Sequence, residues 1–188
     1  MTNETDKHWY VVYTQPNAEK KLLLAVSKLH LTAYLPLREE LKQWSDRRKK
    51  ITVPVFKSYL FVYLDYAGIH RVKALPACVD FIHFGGYPSI FPDAEMQLLK
   101  AIMAVSNNVQ TKPSHLVKGD RIKLFTGALS GYEGVLCADP QGKKVAIAIS
   151  KLNMSLMLDV PLAHMVKIDT PSARFNQSQP DITRRCYE

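Results

Sequence analysis

The residues with the widest chemical repertoire in this chain are its histidines and cysteines, and their spacing does not assemble them. His8, His30, His70, His83, His115 and His164 fall in no HxxxH or HExxH pattern, the spacing that sets two imidazoles on one helix face for a metal. Cys78, Cys137 and Cys186 are far apart and make no CxxC. That argues against a disulfide framework and a zinc site, and fits a reducing compartment. There is no GxSxG elbow, and no cysteine stands in a nucleophile motif. Gly119, Gly127, Gly131 and Gly134 suggest a phosphate loop, yet GxxxxGKS/T is missing and no helix follows to receive a phosphate. Barrel corners, where positive φ or close approach is required, account for these glycines better. No catalytic, metal or cofactor constellation emerges. The expectation is a binding protein, not an enzyme.

The chemistry that remains is electrostatic and aromatic. Arg47, Arg48, Lys49 and Lys50 form an unbroken cationic run behind Trp44 and Asp46. Such side chains neutralise phosphates through counterion release without reading bases, and Trp44 is placed to stack on an unpaired base. A solvated hairpin tip covered by its own tryptophan has the same composition, and both readings stay open at this point. A formal net charge of +8 and a pI near 9.4 favour a polyanionic partner such as DNA, RNA or an acidic protein surface. With 47% hydrophobic and 22% charged residues, the composition is that of a globular chain. The start, MTNETDKHWY, lacks an apolar signal core, and no apolar run approaches the ~18 residues that span a bilayer. A cytoplasmic protein without membrane contact is expected.

The cationic run needs a carrier, and residues 33–64 read as a long β-hairpin with the run at its tip. The return strand holds Val53, Val55, Phe56, Tyr59, Phe61 and Tyr63. Tyr59, Phe61 and Tyr63 alternate with Leu60, Val62 and Leu64, so both faces are apolar and the strand should be central. Upstream, HWYVVYT (8–14) is a strand. Leu22, Ala25, Val26 and Leu29 then give residues 18–30 the stripe of an amphipathic helix, with Glu19, Lys20, Lys21 and Lys28 on its other side. Residues 65–75 are mildly helical up to Pro76, 79–84 form a strand, Gly85-Gly86 a turn, and Asp93 is set to cap a helix carrying Met96, Leu99, Ile102 and Met103. The order β-α-β-β-α-β-α implies an α+β fold, a sandwich with an antiparallel sheet and helices on one face, over residues 7–104. Residues 105–115 are polar and aperiodic, a linker. Residues 116–169 carry five short glycine-punctuated strands, a small β-barrel. Residues 170–188 read as a disordered tail.

Taken together, these motifs resemble the NusG family of transcription elongation and antitermination factors. WYVVYT (9–14) before a helix, PVFKSYLFVYL (54–64), VDFIHFGGYPSIFPDAEM (79–96) and VKGDRIKLFTGALSGYEGVL (117–136) carry the resemblance, which covers about residues 8–168. It implies an NGN-like N-terminal domain followed by an SH3-like KOW barrel. Within the family, KQWSDRRKK and FKSYLFV are most similar to the specialised UpxY- and RfaH-type paralogs.

The resemblance implies docking on the clamp helices of the RNA polymerase β′ subunit, which hinders clamp opening and suppresses pausing or termination. Matched by motif, the docking candidates are Tyr13, Phe56, Tyr59, His70 and Phe81. The physics is a helix seated on a few aromatic anchors. Arg47, Arg48, Lys49 and Lys50 fall where a family hairpin approaches upstream or non-template DNA. Gln15-Pro16-Asn17 departs from the basic residues that RfaH-like factors use there, with Lys20 and Lys21 as partial substitutes. Leu152 stands near the position of an aromatic residue through which housekeeping factors contact ribosomal protein S10 or Rho. No cofactor is implied, and a monomer is expected. The alternatives are a housekeeping NusG-type factor and a KOW-containing RNA- or ribosome-binding protein.

Overall fold

Strand β1 (His8–Thr14) is the centre of the N-terminal half because it is apolar on both faces. Trp9 and Val11 turn to one side and Tyr10 and Val12 to the other, and all four are buried. The computed structural model describes residues 6–43, 48–106, 109–114, 117, 119–125, 127–139, 142–160 and 162–168. After β1 come α1 (Glu19–Lys28), β2 (Thr32–Tyr34), β3 (Leu37–Gln43), β4 (Arg48–Pro54), β5 (Tyr59–Leu64) and α2 (Tyr66–Lys73). The half closes with β6 (Cys78–Phe81), β7 (His83–Phe84), β8 (Tyr87–Pro88), β9 (Ile90–Phe91) and α3 (Asp93–Val105). The sheet order is β2-β5-β1-β6, with β9 also paired to β1. β5 is central, as its two apolar faces require, and lies antiparallel to β1 from His8↔Leu64 to Tyr13↔Tyr59.

The helices cover both faces of this sheet, not one. Leu22 and Val26 of α1 and Ile69 and Val72 of α2 pack with Tyr10, Val12, Leu60, Val62 and Leu64. On the opposite face Met96, Leu99 and Ile102 of α3 pack with Trp9, Val11, Phe61 and Phe91. A sheet with two apolar faces must be covered twice, and the third helix supplies the second layer. The expected long hairpin is also divided. β2 pairs with β5 inside the sheet, whereas β3 and β4 form a separate two-stranded ribbon running from Leu37↔Pro54 to Gln43↔Arg48. The return strand breaks at residues 55–58, where Ser58 takes φ +63°. At α3 the cap position is Pro92, and Asp93 instead lies in the first turn beside Glu95, where the helix dipole favours acidic groups.

The C-terminal half is all β: β10 (Gln110–Pro113), β11 (Asp120–Leu124), β12 (Glu133–Asp139), β13 (Gly142–Ile149), β14 (Met154–Leu158) and β15 (Met165–Lys167). These strands make one antiparallel sheet of six, ordered β10-β14-β13-β12-β11-β15. A closed barrel of five strands is therefore not what the pairings show. The additional strand, β10, comes from QTKP within residues read as linker, and pairs along β14 from Gln110↔Met157 to Pro113↔Met154. Its side chains carry no apolar period. The edge of β14 pairs with it through backbone groups.

The two halves share one continuous apolar core. α3 meets a 3₁₀ turn at Gly127–Leu129, and buried Val109, Ile122, Leu124, Leu129, Val145 and Ile147 belong to the same cluster as Phe61 and Phe91. Polar contacts join them as well. The Lys151 N–H donates to Glu95 Oε2 at 3.3 Å, and Thr111 Oγ1 donates to the Val55 carbonyl at 3.5 Å.

Candidate binding surfaces

Tyr13 is the next-to-last residue of β1 and Tyr59 the first of β5, so the antiparallel register sets them side by side. Their rings meet edge to face, with centroids 5.7 Å apart and planes at 63°. Tyr13 is 44% exposed. Tyr59 is half-buried, and desolvation, with Tyr13 as a lesser influence, raises its phenol above the ordinary value of 10.0. In the same layer Phe56 meets Phe61 edge to face at 5.9 Å, and Phe61 meets Phe91 likewise at 5.0 Å. Phe56 is only 1% exposed and belongs to the core. The turn before Tyr59 is tied down from two sides: Glu19 Oε1 accepts the Ser58 N–H at 2.7 Å, and the Ser58 carbonyl accepts the Thr14 N–H at 2.8 Å.

The other two docking candidates lie elsewhere. Phe81 faces the α1–α2 layer, 4% exposed and edge to face with Tyr10 at 6.2 Å. His70 is exposed on α2, against Tyr66 at 4.8 Å, and α2 packs on that same layer. The structure thus groups Tyr13, Phe56 and Tyr59 on one side of the sheet and puts His70 and Phe81 on the other.

Sequence reasoning passed over two exposed rings. Phe84 and Tyr87 face each other across the β7–β8 hairpin, 83% and 79% exposed. Gly85 and Gly86 between them take φ +61° and +85°, the left-handed pair that a two-residue hairpin turn demands. Lys151 Nζ lies 5.9 Å from the Phe84 ring. The signal was FGGY itself: aromatics flanking Gly-Gly are displayed at a turn, not buried by it.

The cationic ribbon is β3–β4. Trp44 and Arg47 lie outside the described residues. Arg48 donates through Nε to Gln43 Oε1 at 2.9 Å, and Lys50 lies 3.5 Å from Glu39. Lys49 stands directly opposite Lys42. All three β4 cations are exposed. Lys20 and Lys21 are exposed on α1, and Lys20 Nζ donates to the Thr52 carbonyl at 2.6 Å, tying that helix to the ribbon. Among the described residues, no group of three His, Cys, Asp or Glu side chains could hold a metal ion, and no helix is long and apolar enough to cross a membrane.

The chain is thus a mixed α/β half joined to an antiparallel sheet, with exposed rings and a charged ribbon. The family described as "Transcription termination factor nusG" matches residues 7–100, half of the chain. The chain belongs to this NusG family of transcription factors, whose members are regulators of transcription and not enzymes. Among solved structures, one on domain interaction in Thermotoga maritima NusG superposes with a TM-score of 0.58 at 21% identity, covering 89% of this chain and 100% of that one. At that identity the likeness speaks for the fold alone. Two conformations of the MjSpt4:Spt5 complex align more loosely, with TM-scores of 0.30 and 0.29 at 16% and 15% identity, covering 85% and 86% of this chain and 97% of each of those.

Proposed function

We propose that this chain is an elongation and antitermination factor that docks on RNA polymerase through the Tyr13–Tyr59 face of its N-terminal half. The observation that carries the reading is that pair: two adjoining rings, one 44% exposed, on a strand end braced by a buried aromatic layer. Rigid aromatic anchors of this kind supply most of the energy when a groove or sheet face accepts a helix, here the β′ clamp helices. Binding there bridges the cleft and suppresses pausing or termination. The charged β3–β4 ribbon reaches upstream or non-template DNA, with phosphates as its targets.

The specialised, operon-specific form of this activity is favoured over the housekeeping one by a specific observation. Leu152, near the family's aromatic contact to ribosomal protein S10 or Rho, is not a displayed ring but a half-buried aliphatic packed on the core. The test is binding to core RNA polymerase by wild type and by Tyr13→Ala with Tyr59→Ala. Phe56 is unsuited to it, because removing a core ring confounds folding with binding. Tight wild-type binding, lost in a folded double variant, is the expected result. Absence of wild-type binding together with co-sedimentation with ribosomes overturns it in favour of a ribosome-binding protein.

A further inference from the structure

We infer that Glu19 is a positioning residue for the aromatic pair: its buried carboxylate clamps the Ser58 backbone so that Tyr59 stands against Tyr13. For its functional consequence this rests on the docking role proposed above. Glu19 lies on α1 beside exposed Lys20 and Lys21, yet is itself only 5% exposed. Burying a carboxylate is costly unless hydrogen bonds answer it. Its Oε1 accepts the Ser58 N–H at 2.7 Å, and its place in the first turn of α1 sets it in the favourable field of the helix dipole.

Ser58 is the residue in need of a clamp. Its φ of +63° lies in the left-handed region that L side chains rarely adopt and that surrounding contacts must enforce. Its carbonyl is held by the Thr14 N–H at 2.8 Å. Both backbone groups of Ser58 are thus committed to the segment Thr14–Glu19, which directly follows Tyr13. Tyr59 is the next residue after Ser58, and its ring direction follows from the backbone so fixed. One short segment therefore continues from the first ring and aims the second.

The full-length wild type, Glu19→Ala and Glu19→Gln are compared by hydrogen exchange of the Ser58 amide, by nuclear Overhauser contacts between the Tyr13 and Tyr59 rings, and by affinity for core RNA polymerase. In Glu19→Ala the Ser58 amide is expected to exchange about tenfold faster or more, the scale of one charge-assisted hydrogen bond. The ring contacts should weaken, and polymerase affinity should fall by about tenfold. Glu19→Gln keeps an acceptor oxygen and should restore all three. Unchanged Ser58 protection in Glu19→Ala overturns the clamp, and a released Ser58 with intact ring contacts overturns its positioning role. A wild type that shows clamp and ring contacts but does not bind polymerase supports the positioning and refutes the docking reading, so the two failures separate. Should Glu19→Ala not fold, the wild type decides: Ser58 protection matching buried Leu60 supports the clamp, and exchange as fast as exposed Lys57 overturns it.

Discussion

Aromatic residues on one side of the N-terminal sheet divide between packing and display, and the division predicts how each responds to truncation. Phe56 is 1% exposed and wedged against Phe61, so Phe56→Ala should cost about 3–5 kcal/mol of stability by urea unfolding. Tyr13→Ala, at a strand end 44% exposed, should cost under about 1 kcal/mol; a loss as large as that of Phe56 would make Tyr13 core. Asp80 offers a pH test. The hydrogen-bonded Lys73 ammonium and then the Phe81 N–H hold its carboxyl below the ordinary 3.8. A lowered folded-state pKa stabilises above the unfolded value, and that stabilisation is lost as pH falls through the folded one. Wild type should therefore exceed Asp80→Asn in stability near neutrality, with the difference vanishing in acid below the lowered value. Denaturant titrations of both proteins across that window check the sign.

The β3–β4 ribbon concentrates charge on a two-stranded element outside the main sheet. Lys42 and Lys49 face each other across the ladder. Replacing Lys49 and Lys50 by Ala should weaken DNA binding and reduce the slope of log affinity against log salt by about 1 for each phosphate contact removed. An unchanged slope would make the ribbon a solvated tip. In the C-terminal sheet, the backbone of Gly119, at φ +157°, passes so close to the Leu136 carbonyl that an added Cβ would collide with it. Gly119→Ala should destabilise that sheet by about 1–3 kcal/mol in thermal or urea unfolding, with little effect on the aromatic face.

At the scale of the whole molecule, α3 is a shared wall. Met96, Leu98, Leu99 and Ile102 are all buried in the apolar cluster that spans both halves, Leu98 (8% exposed) about 100° around the helix from Leu99, and α3 meets the Gly127–Leu129 turn. Leu98→Asp places a charge in that shared core. It should let the halves reorient independently, seen as faster and separate rotational diffusion in nuclear spin relaxation. A single unchanged correlation time would mean that the Glu95–Lys151 and Thr111–Val55 contacts suffice.

Much of this was written locally. The period-two alternation of 8–14 and 59–64 determined two strands buried on both faces, and the stripe through Leu22 and Val26 determined α1, because those patterns depend only on neighbours in the chain. The motifs of residues 7–100 likewise carried the family. What depends on distant partners did not show. Glu19 counted as a surface charge until Ser58, far along the chain, gave its carboxylate a donor. Phe56 and Phe81 stood together among the docking candidates, and packing buried them on opposite sides of the sheet. QTKP became a strand only because β14 offered it an edge. Side-chain periodicity is a local code, whereas burial, hydrogen-bond partners and edge pairing are set by which segments meet, and the tertiary structure alone decided those.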